Sequence, residues 1–191
     1  MYAGILCSAA FYLFLLQIDR DLAAEVRRSK CLFCGAALHS ACYARRPRGV
    51  PAGVDAEPEF GVCFSFCCSA EGCRRRHRAP SVRFLGRKVY LAAMVSLLTA
   101  MRQGPTPRTA RQLRSLFGAD RRTLVRWRRW WQVLFPQGDF WRRRRDRFLP
   151  PVAEADLPRS LIDRFAGPGL QERVIAMLRF LGGLFIACNA L

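Results

Sequence analysis

The chain opens on an apolar run, AGILCSAAFYLFLLQI (3–18), that passes directly into DRDLAAEVRRSK. In this second stretch Ile18, Leu22 and Val26 recur every four residues with charges between them. That period is helical. The pattern predicts one long helix over 1–29, packed on the body of the protein. The apolar part is short for a membrane span, which needs about 20 residues. No Lys or Arg precedes it, as an export signal would require. A packed helix is therefore the preferred reading over a membrane or export segment.

Further along, the period changes several times. FGVCFSF (60–66) alternates and reads as a strand. VYLAAMVSLLTAM (89–101) reads as the first helix of a bundle, ended by RQGPTP. In ARQLRSLFGADRRTLVRWRR (110–129), Leu113 and Phe117 stand four apart before Gly118, and Ala119, Leu124 and Trp127 follow it. This is the layout of a helix-turn-helix, two helices joined through a glycine turn. Asp120 is a natural N-cap for the second helix. Arg114 departs from the pattern, because a small residue is usual where the two helices cross. LPPVAEADLP (149–158) has the composition of a linker, and RSLIDRF and LQERVIAMLRFLGGLF read as two C-terminal helices separated by AGPG.

Charge adds a partner. Of 191 residues, 32 are basic and 14 acidic, for a net charge of +18. All the basic residues but Lys30 and Lys88 are arginine. Codon bias in a GC-rich genome would favour Arg over Lys, but it does not produce an excess of base over acid. Such a chain attracts polyanions, nucleic acid ahead of anionic membrane. Across 102–147 there are 14 Arg and 3 Asp, a density that repels itself unless an anion is the partner. At about 100° per residue, Leu124, Trp127 and Trp131 share one face of the second helix. Arg122, Arg126 and Arg129 lie opposite, with Arg121 beside them at the N-terminal end. These four are the candidate contacts to base edges or phosphates in the major groove. Arg142, Arg143, Arg144 and Arg145, in FWRRRRDRF, are candidate phosphate contacts, which add affinity without sequence choice. Trp127, Trp130, Trp131 and Trp141 could stack on unpaired bases, but most of them are expected in the core.

Nine cysteines, seven of them within 31–73, are odd in number and unevenly placed. That argues for reduced thiols in a cytosolic protein rather than a disulfide framework. CLFCG (31–35) is a knuckle, two thiolates on a tight turn with a glycine just beyond. CSAEGC supplies a second pair, Cys68 and Cys73. Cys67 competes with Cys68, which is preferred for its shorter turn. Cys31, Cys34, Cys68 and Cys73 therefore form a candidate Zn2+ site, the outline of a zinc ribbon too small for a core of its own. His39 and His77 stand near enough in sequence to substitute as ligands. Cys42 and Cys63 read as buried thiols outside the site.

The string IDRDLAAEV…CLFCGAALHSACYARRPRG…CCSAEGCRRR…SVRFLGRKVY…LRSLFGADRRTLVRW resembles short bacterial proteins associated with insertion sequences, in which a transposase-type zinc ribbon precedes a helix-turn-helix. The resemblance covers roughly 15–165. It implies DNA binding linked to transposition, with Cys31, Cys34, Cys68 and Cys73 as metal ligands. A full transposase of the DDE type also needs an α/β core with three separated carboxylates holding two metals. Positions 149–191 hold Glu154, Asp156, Asp163 and Glu172, on helical or linker sequence. The catalytic domain is thus expected to be absent.

The expected fold is mainly α: a helix-turn-helix bundle with a small zinc-ribbon β module and flanking helices. It divides into an N-terminal helix (1–29), the zinc module (30–80), the DNA-binding domain (84–148) and a linker with C-terminal helices (149–191). The expected function is that of a non-catalytic DNA-binding accessory protein or truncated transposase. A transcription regulator built from the same modules is the alternative. An enzyme is disfavoured, since no HExxH, Ser-His-Asp set or phosphate-binding glycine loop is present. Expected partners are double-stranded DNA, a separately encoded transposase and a second copy of the chain. The expected location is the cytoplasm, on the nucleoid.

Overall fold

A computed structural model describes residues 2–50, 54, 57–86, 88–101 and 117–187. The mainly α expectation agrees with it, and so does a small β module around the cysteines. The N-terminal apolar run is not one helix. It forms α1 (Tyr2–Leu6) and α2 (Ala9–Arg28), broken at Ser8. The Ser8 hydroxyl accepts the Phe11 amide at 3.2 Å, so it caps α2 and satisfies a donor that an unbroken helix would have paired internally. Apolar periodicity carried across a serine hides such a break.

Helix α2 buries Phe11, Tyr12, Leu15, Leu16, Ile18 and Ala23 on one side. Its last turn carries Arg27 and Arg28, which suit the negative end of the helix dipole. Helix α3 (Ala92–Ala100) is buried on nearly every side, as expected of a helix apolar all round. Around it gather α1, α4 (Arg121–Arg129), α7 (Arg159–Ile162) and α8 (Leu170–Ala187). Between α4 and α7 the chain runs through a π-helical turn (Trp130–Leu134), α5 (Phe135–Gln137) and α6 (Asp139–Arg142). The 149–158 stretch is packed, with Val152 and Leu157 buried against the same core. Among the described residues no helix is long and apolar enough to cross a membrane.

The strands are β1 (Leu38–Ser40), β2 (Tyr43–Ala44), β3 (Val62–Cys63), β4 (Ser65–Cys68) and β5 (Arg76–Arg78). FGVCFSF thus supplies two strands instead of one. Strand β3 pairs with β2, while β4 is the centre of an antiparallel β1–β4–β5 sheet. Its register sets Leu38 opposite Cys68 and Phe66 opposite His77. A satellite core of Ala23, Cys31, Leu38, Phe66, Cys68 and Ala79 sits between this sheet and the end of α2.

A buried ion pair ties the parts together. Arg83 Nε donates to Asp19 Oδ2 at 2.7 Å, and the two side chains are 0% and 1% exposed. Asp19 also accepts the Ser81 hydroxyl at 2.6 Å and the Val82 amide at 2.7 Å. The remaining Arg83 donors reach the carbonyls of Glu59, Phe60 and Val62. The guanidinium lies among the Phe60, Phe64 and Phe84 rings. Burial raises the Asp19 carboxyl, and the Arg83 charge and these hydrogen bonds oppose that rise. The pair joins α2 to the approach to β3 and to the segment after β5.

Candidate metal centre and basic helix

The sulfurs of Cys31, Cys34, Cys68 and Cys73 all lie within 4.8 Å of one another. Cys31 Sγ is 3.7 Å from Cys73 Sγ, and Cys34 Sγ is 3.3 Å from Cys68 Sγ. Four thiolates at about 2.3 Å from a tetrahedral metal stand about 3.8 Å apart. A disulfide would need about 2.0 Å. The donor set therefore fits a metal ion, and its thiolate chemistry suits a borderline or soft one. Among the described residues it is the one cluster of three or more metal-capable side chains.

Local sequence builds this cluster from three places. Directly after α2, the Cys31 amide donates to the Ala36 carbonyl and Gly35 N–H to the Cys31 carbonyl, at 2.9 and 2.8 Å. Gly35 has φ +72°, a conformation that glycine adopts without steric cost. On the second knuckle, the amides of Cys73 and Arg74 both donate to the Ala70 carbonyl at 3.0 Å. Strand alternation decides between the adjacent cysteines. Cys68 points into the site and is buried, whereas the Cys67 thiol donates to the Arg74 carbonyl at 3.4 Å. The knuckles are not symmetric hairpins: the first follows a helix and the second joins β4 to β5.

Neither histidine lies in the four-sulfur cluster. His39 is exposed, opposite Cys67 on β1. His77 is buried on β5, with Nε2 3.3 Å from Cys31 Sγ, so it supports a ligand instead of replacing one. Burial alone would raise the Cys31 thiol. The Phe33 and Cys34 amides and His77 outweigh it and bring the thiol to about 6. Burial pushes Cys68 up to about 12. Cys63 is buried as expected, but Cys42 is exposed, with Sγ 3.6 Å from the Ser65 carbonyl.

The second helix of the sequence-predicted pair is present as α4. Gly118 has φ +64°, and its carbonyl accepts the Tyr90 hydroxyl at 3.0 Å. Asp120 caps the helix, accepting the Thr123 amide at 2.6 Å. Replacing Asp120 with Ala should cost about 0.5–2 kcal/mol of stability. Equilibrium denaturation checks this, and an unchanged midpoint would contradict it. Thr123, Leu124 and Trp127 are buried, and the Trp127 ring meets Tyr90 edge-on at 4.9 Å. Arg121, Arg122, Arg126 and Arg129 are exposed, and Arg121 and Arg129 edge a cleft that Leu98, Thr99 and Leu124 also line. Arg126 also donates to the Thr123 hydroxyl at 3.0 Å. Inside the helix edge, Lys88 Nζ sits 4.2 Å from the Trp130 ring centre. Burial, with Arg126 nearby, lowers its ammonium to about 8. The first helix of the motif, with Leu113 and Arg114, lies outside the described residues.

The second basic run is not uniform. Arg142, Arg143 and Arg145 are exposed, but Arg144 is half-buried with its guanidinium 4.4 Å from the Phe140 ring centre. Arg145 also faces Asp146 and Glu154, each at 3.7 Å. Trp127, Trp131 and Trp141 are all buried, and Trp141 Nε1 donates to Glu154 at 2.7 Å. Glu154 is thus taken up in packing, and Asp163 pairs with Arg173 and Arg159.

Comparison with known proteins finds no match among family models, curated proteins or solved structures.

Proposed function

We propose that the chain is a zinc-stabilised, non-catalytic protein that binds double-stranded DNA through α4, as an accessory protein or truncated transposase of an insertion element. The observation that carries this reading is α4 itself. Leu124 and Trp127 fix one face in the core, while Arg122, Arg126 and Arg129 lie on the opposite side, with Arg121 exposed at the N-terminal end. A recognition helix needs a rigid mount behind a donor-rich face. The cysteine cluster supports the zinc part, since four thiolates and no open position make a structural site. Arg142 and Arg143 extend the positive surface as phosphate contacts.

Binding by α4 makes two kinds of arginine distinguishable. On a duplex selected from random sequence, Arg122→Ala should cost about 1–3 kcal/mol and relax the choice of base. Arg143→Ala should weaken selected and scrambled duplexes alike and lower the salt slope by about one. Equal losses on both duplexes for both variants would reduce α4 to a charged face. Purified protein should also leave DNA uncut with Mg2+ or Mn2+. Metal-dependent cutting that is lost on replacing Glu154, Asp156 or Asp163 would refute the non-catalytic reading.

A further inference from the structure

The tip of the first knuckle presents Leu32 and Phe33 to solvent at 79% and 60% exposure. Both stand between metal-capable cysteines on a turn held by backbone hydrogen bonds, so the apolar pair is displayed on a fixed support. One side of the Phe33 ring is taken. The Arg75 guanidinium lies 4.2 Å from its centre, and the His77 ring is tilted against it at 5.7 Å. Around the tip the chain is basic and exposed. Arg27, Arg28 and Lys30 end α2 and lead into Cys31. Arg74 precedes Arg75 on the way into β5, whereas Arg76 turns to the other face of the sheet, over the Tyr43 ring. Glu25 and Glu71 are the exposed acids of these same segments, and they leave a clear positive excess.

We propose that Phe33 and Arg75 form a stacking platform for an unpaired nucleobase, with Lys30 and Arg74 holding the flanking phosphates, so that the metal module binds single-stranded nucleic acid. An exposed aromatic ring among cationic side chains is the chemistry that single strands use, because every base offers a π-face and every linkage a charge. A duplex hides its base faces and gains only the charge. A neutral apolar partner would use Leu32 and Phe33 but gain little from the arginines, and an anionic membrane would gain from the charge but not from the stacked Phe33–Arg75 pair. This inference extends the DNA-binding reading to a second surface, and it does not depend on α4 reading sequence.

The test uses the full zinc-loaded chain with fluorescent oligothymidine, oligouridine and a blunt duplex of equal length. Phe33→Ala keeps the backbone amide that faces Cys31. It should weaken oligothymidine binding roughly 5- to 150-fold, with zinc content unchanged and duplex affinity held within about two-fold. Phe33→Trp should keep single-strand affinity and add emission that oligothymidine quenches. Equal loss on oligouridine would extend the site to RNA, with the same stacking chemistry. Unchanged single-strand binding in Phe33→Ala, or no added quenching in Phe33→Trp, overturns the proposal. If Arg122→Ala still weakens the selected duplex in that case, the α4 reading stands without this one. Loss in Phe33→Ala with no effect of Arg122→Ala leaves the platform standing and removes α4.

Discussion

Stripping the metal from Cys31, Cys34, Cys68 and Cys73 is expected to unfold the β1–β4–β5 sheet. The purified chain should carry one equivalent of zinc. Structural zinc sites of this kind contribute about 10–16 kcal/mol of apparent binding energy, which is also folding energy. Nothing in the satellite core can replace that. Its six fully buried members include two of the ligands, and the strands span only three or four residues. Without metal, four sulfurs this close would repel one another as thiolates or take up protons, and the knuckle turns would lose their anchor. The checks are metal analysis and far-UV circular dichroism before and after chelation. Cys31→Ser with Cys34→Ser should abolish binding, whereas Cys67→Ser should leave it intact. Less than half an equivalent in the wild type, or full occupancy in the double variant, would overturn the assignment.

The next largest effect is expected at Asp19. Asp19→Asn leaves the Arg83 charge buried without its counter-ion, and breaking a buried pair in this way costs about 3–5 kcal/mol. Replacing both partners is often tolerated elsewhere, but here it should not restore stability. Arg83 also serves the carbonyls of Phe60 and Val62, and an apolar residue would remove that donor from both, while the Glu59 carbonyl would keep the Val62 amide. Asp19→Leu with Arg83→Met should therefore stay at least about 2 kcal/mol below wild type, since each orphaned buried acceptor costs about 1–3 kcal/mol. Urea titration of the zinc-loaded variants decides this. A double variant as stable as the wild type would show that the carbonyl bonds contribute nothing.

The parts of the fold that were legible in the sequence were those encoded by short spacings. CxxCG and CSAEGC located the four sulfurs, and the shorter turn favoured Cys68 over Cys67, in agreement with the cluster. Gly118, Asp120 and the Leu124–Trp127 stripe located the second helix of the predicted pair, because turn, cap and buried face all fall within ten residues. Asp19 and Arg83 were opaque for the opposite reason. They are 64 positions apart, and each is one charge among many similar ones, Asp19 in IDRDL and Arg83 in SVRFLG. Phe33 was missed because an apolar residue between two cysteines reads as filler for a small core, and only its exposure shows otherwise. His77 carried a usable signal, a return strand that brings it back toward the first knuckle.

Helix α2 enters both hydrophobic clusters, with Phe11 to Ile18 in the large one and Ala23 in the small one. Asp19 lies between these two contacts. The helix is 20 residues long, about 30 Å end to end, and it acts as a spar on which the cysteine module is mounted. Cutting the chain at residue 30 would strip the small cluster of one wall and leave the Arg83 guanidinium without its carboxylate. Gene rearrangements that exchange the cysteine module as a cassette would therefore have to carry α2 and the stretch through Arg83 with it. The smallest unit that keeps these contacts together is larger than the spacing of its motifs suggests.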